Sequence, residues 1–285
     1  MAPPRLGYFA PQIGLPMGQF ENWGLQIMRA ARLFSLPILG AVLAGIAAIS
    51  VAPAPAEAAQ TVSFREDYMP GTVVIKYGQR RLYYVVGGGR AIALCADVAR
   101  EADVLAAFEA VDRAFGPLTV LINNAGITGP MVRLDALTAQ ALDRVLAVNV
   151  TGAFLCAREA VKRMSTKRGG AGGVIVNVSS RAAQLGGPGE WIHYAASKGA
   201  IDTLTVGLAK EVGAEGIRVN AVAPGLIDTD IHAAAGAPDR IARLAAGVPL
   251  GRGGTAMEVA EAVLWLASPA ASYVSGAILP VGGGR

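Results

Sequence analysis

Tyr194 and Lys198 are the two residues whose types and spacing most directly suggest chemistry. Residues four apart on a helix lie on the same face, so the lysine ammonium would stand beside the tyrosine phenol. A nearby positive charge favours the phenolate, and we therefore expect the pKa of Tyr194 to fall below its usual value near ~10. Such a tyrosine could act as a general acid or base. Because helices also produce this spacing by chance, the accompanying motifs decide the interpretation.

Four further groups of residues stand where a parallel sheet would bind a ligand. Three of them directly follow a predicted buried strand, and open α/β sheets bind ligands at the carboxyl ends of their strands. The fourth is an asparagine within a predicted helix, where a polar amide needs a reason. In chain order the groups are Asn123 to Gly126, Asn149, Ser179 with Ser180, and Pro224 with Gly225 and Thr229.

Strands alternate with amphipathic helices from Ala91 onward. Apolar residues recur at helical spacing between Val104 and Phe115, which predicts one helix face. Thr255 and Glu258 have the spacing of a capping box that opens the last helix. This alternation predicts right-handed βαβ units and a parallel sheet. The other predicted helices are 137–164, in two pieces, and 194–212, and the predicted strands are 91–96, 118–122, 174–178, 217–222 and 277–281.

This ordered set of motifs resembles the short-chain dehydrogenase/reductase family over nearly all of residues 91–285. The resemblance implies an α/β, Rossmann-like doubly wound parallel sheet and a nicotinamide cofactor, either NAD or NADP. It implies that Tyr194 exchanges a proton with the substrate oxygen, that Lys198 lowers its pKa and binds the nicotinamide ribose, and that Ser180 holds the substrate oxygen. Asn149 would anchor a water that links the lysine to solvent. Besides Tyr194 and Lys198, the residues implied to bind the cofactor are Asp97, Val98, Asn123, Ala125, Gly126, Pro224, Gly225 and Thr229.

Some of these residues have a structural alternative. Asn123 and Asn124 could serve a turn alone, and Thr229 could cap a helix. Asp97 and Val98 resemble the pair that brackets the adenine ring in the family. Their roles therefore depend on where the fold places them.

The family's opening segment is missing from this sequence. Family members begin with a strand and a Thr-Gly-x-x-x-Gly-x-Gly turn at the start of a helix, where backbone amides and the helix terminus bind the cofactor's pyrophosphate. Gly40 and Gly45 have the wrong spacing for that turn, and no buried strand precedes them. The resemblance thus implies a truncated sheet without its first two strands and helices, and without the residue that selects NAD or NADP. We expect the strand 118–122 to have an unpaired, aggregation-prone edge.

The N-terminal part of the chain differs in amino-acid composition from the rest. Residues 1–27 are rich in proline and glycine, and we interpret them as sequence upstream of the true start. Residues 28–59 resemble a secretory signal peptide, with Arg29 and Arg32 before an uncharged apolar stretch and a cleavage site at Ala56–Ala58. A membrane anchor and a buried helix are the alternatives, since the stretch is nearly long enough to span a bilayer.

Expression in a bacterium with intact secretion tests the signal-peptide interpretation. We expect cleavage near Ala58, which gives a mature N-terminus at Ala59 or Gln60, because signal peptides are cut after an A-x-A site. N-terminal sequencing of the accumulated protein reads this directly. Met1 or Met28 at the N-terminus would contradict the interpretation.

Residues 60–90 contain a predicted β-hairpin. Thr72–Lys76 and Arg81–Val86 are rich in β-branched and aromatic residues on either side of a glycine-containing turn. The segment resembles the opening hairpin of secreted L,D-transpeptidases. Their Ser-x-Gly-Cys motif has no counterpart, because Cys156 lies in Phe-Leu-Cys-Ala-Arg on a predicted helix. We interpret the chain as a chimera joined near residues 87–91, in which the hairpin could fill part of the missing sheet.

The composition narrows the possible functions. Hydrophobic residues make up 53% of the chain and charged residues 16%, with a formal net charge of +4. The densest basic cluster, at residues 162–168, would complement a helix C-terminus, and no docking motif beside it indicates nucleic-acid binding. Cys95 and Cys156 lack metal-ligand spacing and are expected to be buried free thiols. His193 and His232 are expected to be solvated or capping, and no metal site is predicted.

Two hypotheses from different classes follow. The first is an NAD(P)-dependent oxidoreductase of the carbonyl reductase or alcohol dehydrogenase type, acting on a small-molecule carbonyl or alcohol, whose activity is doubtful without the phosphate-binding loop. The alternative is a non-catalytic exported or membrane-tethered chimeric protein. The family resemblance implies the cytoplasm and a homo-oligomer. The N-terminal segment implies export, with a membrane contact only through the apolar stretch if it stays uncleaved.

Overall fold

The computed structural model describes residues 60–63, 72–76, 81–86 and 90–285. The upstream segment 1–27 and the signal-like segment 28–59 lie outside the described residues, and so do the expectations placed on them. No helix among the described residues is both long enough and apolar enough to cross a membrane.

The described residues contain ten strands. In chain order they are β1 (Gln60–Ser63), β2 (Thr72–Lys76), β3 (Arg81–Val86), β4 (Arg90–Cys95), β5 (Val120–Asn123), β6 (Gly173–Val178), β7 (Ile217–Pro224), β8 (Ile227–Asp228), β9 (Gly254–Thr255) and β10 (Ile278–Val281). Eight of them form one sheet in the order β1-β4-β3-β2-β5-β6-β7-β10, and β8 pairs with β9. The strands β5, β6, β7 and β10 are parallel to their neighbours. The predicted Rossmann-like α/β fold is confirmed.

Helices connect these strands. They are α1 (Glu101–Phe115), α2 (Ala139–Leu146), α3 (Gly152–Met164), α4 (Ala182–Leu185), α5 (Ile192–Val212), α6 (Ile231–Ala234), α7 (Arg240–Leu244) and α8 (Ala256–Ala267). The predicted helix 137–164 is indeed in two pieces, joined by a π-helical turn over Ala147–Thr151. The capping box that opens α8 is also confirmed, with both hydrogen bonds between Thr255 and Glu258 present.

The hairpin strands β2 and β3 lie between β4 and β5. β2 pairs in parallel with β5, with Val73 opposite Leu121. β3 pairs antiparallel with both β2 and β4. The expected unpaired edge on β5 was therefore wrong, because β2 takes the position where a first family strand would lie. β4 runs parallel to β5 because the chain direction reverses twice between β2 and β4.

The two faces of the sheet are covered by separate apolar cores. Leu121, Ile175 and Val219 lie opposite one another on β5, β6 and β7, and they pack in one core with Phe108 of α1. The residues on either side of Leu121 and Ile175 point to the other face and share a second core with Leu266 of α8 and Val222 of β7. Alternate residues of a strand point to opposite faces, so burial on both sides requires the unbroken apolar runs seen in the sequence.

The two cysteines have different environments. Cys156 is buried, and burial raises the pKa of its thiol to about 12. Cys95 is exposed at the end of β4, so the prediction of a buried thiol there was wrong. Its position as the last residue of its strand takes it away from the packed core.

Candidate active site

A cleft of about 610 Å³ opens where β6 and β7 end. The predicted catalytic residues Ser180, Tyr194 and Lys198 all line it. Ser180 follows β6, and the other two lie one helical turn apart near the start of α5. The sheet edge and the helix therefore bring together residues that are separated in sequence, as the motif spacing predicted.

The Ser180 hydroxyl lies close enough to the Tyr194 phenol to influence its pKa. The Ser180 hydroxyl also lies 3.5 Å from the carbonyl oxygen of Pro224 and accepts a hydrogen bond from the backbone amide of Ala182 at 3.1 Å. These two contacts hold the serine side chain in place. One substrate oxygen could contact both hydroxyls, which is the geometry that general acid catalysis requires.

The electrostatics of Tyr194 differ from the sequence-based expectation. Burial raises the pKa of its phenol above the ordinary value of 10, and the Ser180 hydroxyl only partly opposes this. The predicted lowering of this pKa was therefore wrong. The ammonium nitrogen of Lys198 lies 5.8 Å from the centre of the tyrosine ring, but its hydrogen bond goes to the carbonyl oxygen of Val178, at 2.7 Å.

Burial also acts on Lys198. It lowers the pKa of the lysine to about 8, against the opposing attraction of the Asp202 carboxylate. Asp202 lies one turn further along α5 and hydrogen-bonds the hydroxyl of Ser179. Sequence reasoning missed this aspartate, although its position four residues after Lys198 places it on the same helix face.

Asn149 occupies the π-helical turn between α2 and α3. Its side chain donates to and accepts from the backbone of Ile127, both at 2.8 Å, and donates to the Ser197 hydroxyl at 2.9 Å. Such turns often occur at functional sites, because they redirect a side chain out of the helical register. A Cβ atom at Gly126 would meet both the Lys198 ammonium, at 3.3 Å, and the Asn149 side-chain oxygen, at 3.4 Å. The asparagine and the lysine therefore approach each other across a glycine.

The residues that the resemblance assigns to the cofactor fall into two groups. One group lines the cleft together with Tyr194 and Lys198. The others lie outside it, and two of these have clear structural contacts. Asn123 donates to Asn177 at 3.0 Å and so joins β5 to β6, while Asp97 accepts from Arg144 at 3.2 Å. The lining group is Gly126, Pro224, Gly225 and Thr229, and the group outside is Asp97, Val98, Asn123 and Ala125.

Gly225 shows why a small residue is needed at the end of β7. A Cβ atom there would stand 2.7 Å from the Cα atom of Gly282, which follows β10. Two backbone segments thus pass in contact at the wall of the cleft. This close approach brings residues 282–285 to the same edge of the sheet as Ser180.

The described residues do not fit the pyrophosphate end of a dinucleotide. β2 lies where the first family strand would lie, beside β5. Only residues 77–80 separate β2 from β3, which returns antiparallel. A connection of four residues is shorter than the family's glycine turn and the helix that follows it.

The histidines also differ from expectation. His193 is 4% exposed, and its Nε2 atom has no hydrogen-bond partner in the described part of the chain. The prediction of a solvated side chain was wrong, because α5 begins at Ile192 and places His193 against Gly129. His232 is partly buried and its Nε2 lies 3.0 Å from the carbonyl oxygen of Ile227. Burial lowers the pKa of both imidazoles.

The lowered pKa of Lys198 makes the free energy of unfolding depend on pH. The fold releases the lysine proton near pH 8, whereas the unfolded chain holds it up to the ordinary pKa of 10.5. The unfolded state binds more protons between these values, so the stability contributed by this group rises with pH. Relative to Lys198→Met, we expect the wild type to gain about 2 kcal/mol between pH 8 and pH 10.

Urea unfolding at each pH measures this difference. The comparison stops at pH 10, because Tyr194 titrates above it. Lys210→Met, which removes an exposed lysine from the same helix, is the matched control. Equal pH slopes for the wild type and Lys198→Met would contradict the expectation.

Comparisons with known proteins agree with this geometry. Residues 74–285 match the protein-family model described as Enoyl-(Acyl carrier protein) reductase. The chain is 55% identical over 198 residues to "Uncharacterized oxidoreductase YgfF" of Escherichia coli (strain K12), which covers 70% of this chain and 80% of that protein. It is 44% identical over 197 residues to "Cis-4-hydroxycyclohexanecarboxylate dehydrogenase" of Sinomonas cyclohexanicum, covering 69% and 77%.

A solved structure is similar over the same share of the chain. It is 3-ketoacyl-(acyl-carrier-protein) reductase from Brucella melitensis, complexed with NADH. The TM-score is 0.63 at 34% sequence identity, with 67% of this chain and 77% of that chain covered.

Proposed function

Because this chain belongs to the short-chain dehydrogenase/reductase family, we propose that it is an NAD(P)-dependent oxidoreductase of the carbonyl reductase or alcohol dehydrogenase type. Its substrate is a small molecule with a carbonyl or alcohol group. The observation that carries the proposal is the convergence of Ser180, Tyr194 and Lys198 in one cleft, with the Lys198 ammonium 5.8 Å from the centre of the tyrosine ring. These three side chains meet inside a cleft large enough for such a molecule.

The protein's own residues handle the proton. In the reduction direction the Tyr194 hydroxyl would give its proton to the substrate oxygen, while the Ser180 hydroxyl would hold that oxygen in place. The raised pKa of Tyr194 keeps the phenol protonated and ready to donate. A nicotinamide, when bound, supplies or accepts the hydride.

Lys198 and Asn149 would restore the tyrosine's proton. The lowered pKa of Lys198, about 8, lets the lysine exchange a proton near neutral pH. Asn149 fixes the loop that contains Gly126 through its hydrogen bonds to Ile127. It thereby keeps this loop in position beside Lys198. A water between Asn149 and Lys198 would complete the proton relay to solvent.

The cofactor site is proposed to be complete at its nicotinamide end only. Lys198, Gly126 and Thr229 line the cleft, whereas the four residues between β2 and β3 are too few for the family's glycine turn and helix. Binding of remote phosphates normally positions the reacting ring. We therefore propose weak cofactor affinity in the chain as it stands.

Fragments of the cofactor test this proposal without requiring turnover. In saturation-transfer NMR with the full chain, nicotinamide mononucleotide should give signal, and ADP should give little. Lys198→Met should reduce the mononucleotide signal, and Lys210→Met, on the exposed side of the same helix, should not. Absence of any mononucleotide signal would contradict the proposed function. ADP binding as strong as that of the mononucleotide would contradict the proposed loss of the pyrophosphate-binding part of the cofactor site.

A further inference from the structure

Arginines dominate the charge of the cleft. Arg181, Arg240 and Arg285 line it, and Glu190 is the one carboxylate side chain among its described lining residues. Arg240 is neutralised by Glu190, with 2.6 Å between nitrogen and oxygen. Its guanidinium also lies 4.6 Å from the centre of the Trp191 ring. The cleft therefore keeps an excess of positive charge.

Lys198 supplies part of that excess, and Arg181 and Arg285, which we call the arginine corner, supply the rest. Arg181 donates from Nε to the main-chain oxygen of Arg285 at 2.7 Å and from Nη1 to the side-chain oxygen of Gln184 at 3.0 Å. In the printed chain that main-chain oxygen belongs to the carboxylate of the last residue, so it offsets the charge of Arg181 and the Arg285 guanidinium carries the remaining positive charge of the pair. No acidic side chain within the described ranges forms an ion pair with either arginine. The corner is built tightly, since a Cβ atom at Gly282 would stand 3.2 Å from the Cγ atom of Arg181.

The position of the corner relates it to the reacting atoms. Arg181 directly follows Ser180 in the sequence, at the end of β6. Arg285 comes close enough to Glu190, on the loop before α5, to lower the pKa of that carboxyl together with Arg240 and Arg243. The arginine corner thus lies in the same cleft as Tyr194, beside the serine that would hold the substrate oxygen.

We propose that the arginine corner selects substrates that carry a carboxylate in addition to the reacting carbonyl or alcohol. The inference rests on the proposed function, because Ser180 and Tyr194 define where the reacting oxygen lies. A guanidinium binds a carboxylate through two parallel hydrogen bonds, and an excess of positive charge in a cleft concentrates anions. Apolar Leu185, Trp191 and Leu244 also line the cleft, so the chain that links the two groups would be hydrocarbon.

Binding measurements on the full chain test the proposal. Isothermal titration calorimetry would compare 4-oxopentanoate, 5-oxohexanoate and 6-oxoheptanoate with their methyl esters. Each ester keeps the carbonyl and the hydrocarbon chain and removes the charge. We expect the best-fitting acid to bind at least about tenfold more tightly than its ester, because charge-assisted hydrogen bonds discriminate by that much or more.

Substitutions assign the preference to the corner. The double variant Arg181→Gln/Arg285→Gln should bind acid and ester equally, while Arg113→Gln should keep the wild-type preference. Arg113 is an exposed arginine of α1 paired with Glu109, and it does not line the cleft. Equal binding of acid and ester by the wild type, or an undiminished preference in the double variant, would overturn the proposal.

Two further experiments distinguish the proposal from a cofactor phosphate site and from a role in proton transfer. Competition with ADP distinguishes a substrate site from a cofactor phosphate site. If ADP displaces the oxo acid and the double variant loses ADP binding equally, the corner serves the cofactor and the proposal is wrong. Tyr194→Phe should retain the preference for the acid, since the preference depends on charge and not on proton transfer. A preference that survives Tyr194→Phe would stand even if the tyrosine proves not to donate the proton, so failure of the corner and failure of the catalytic assignment can be told apart.

Discussion

Replacing residues 1–90 with the opening strand, glycine turn, helix, strand and helix of an intact family member should create measurable NAD(P)H-dependent carbonyl reduction. The unmodified chain should show none. The reason is the contrast between a catalytic set that converges in the cleft and a β2–β3 connection of four residues that is too short for the family's phosphate-binding turn and helix. Losing that contact should weaken the cofactor by several kcal/mol, on the order of a thousandfold. The absorbance of the reduced cofactor follows the reaction.

A matched graft separates the phosphate contact from mere repair of the fold. The same donor segment with the three glycines of its turn changed to alanine should fold but remain inactive, because side chains would block the approach of the pyrophosphate. Turnover by the unmodified chain would show that our account of the missing segment is wrong. A correctly folded but inactive graft would instead contradict the roles given to Ser180, Tyr194 and Lys198.

Tyr194→Phe in the active graft should lower kcat by a factor on the order of a hundred to ten thousand. The substitution removes only the hydroxyl that donates the proton, and positioned general acids contribute about that much. It also removes the phenol oxygen that Ser180 influences. KM should change little if the hydrocarbon contacts of the ring hold the substrate, so the loss should appear mainly in kcat.

The control for this loss is Tyr273→Phe. Tyr273 is fully exposed after α8 and lies outside the cleft, so the same chemical change there should leave kcat unaltered. A Tyr194→Phe graft that retains kcat would remove the tyrosine from the reaction. In that case another group in the cleft must donate the proton.

The sequence predicted the catalytic constellation because its members lie on regular elements with recognisable ends. Ser180 follows a strand that is apolar except for Asn177, and Tyr194 and Lys198 keep helical spacing on α5. The pKa of Tyr194 could not be predicted in the same way. It depends on how deeply the phenol is buried and on the partner that Lys198 selects, which is the Val178 carbonyl. Both are properties of the folded packing.

The sequence also did not predict that three arginines would line one cleft. Arg181, Arg240 and Arg285 come from three distant segments, and no motif links them. Likewise, the strand propensity of residues 72–86 indicated a hairpin, but not its place in the sheet. Pairing of β2 with β5 joins residues almost fifty positions apart, and such long-range choices follow from available edges and not from local pattern.

The hairpin between β4 and β5 has a consequence for how parts of such proteins can be exchanged. After an inserted segment, the next strand must start at the correct edge of the sheet and run in the correct direction. Two antiparallel reversals satisfy both conditions, since β4 still runs parallel to β5 and Asp97 still leaves β4 at the edge where β5 and β6 end. A segment with one reversal would invert β4 and carry Asp97 to the opposite edge. A segment that replaces strands of this sheet must therefore reverse the chain direction an even number of times, whatever its sequence.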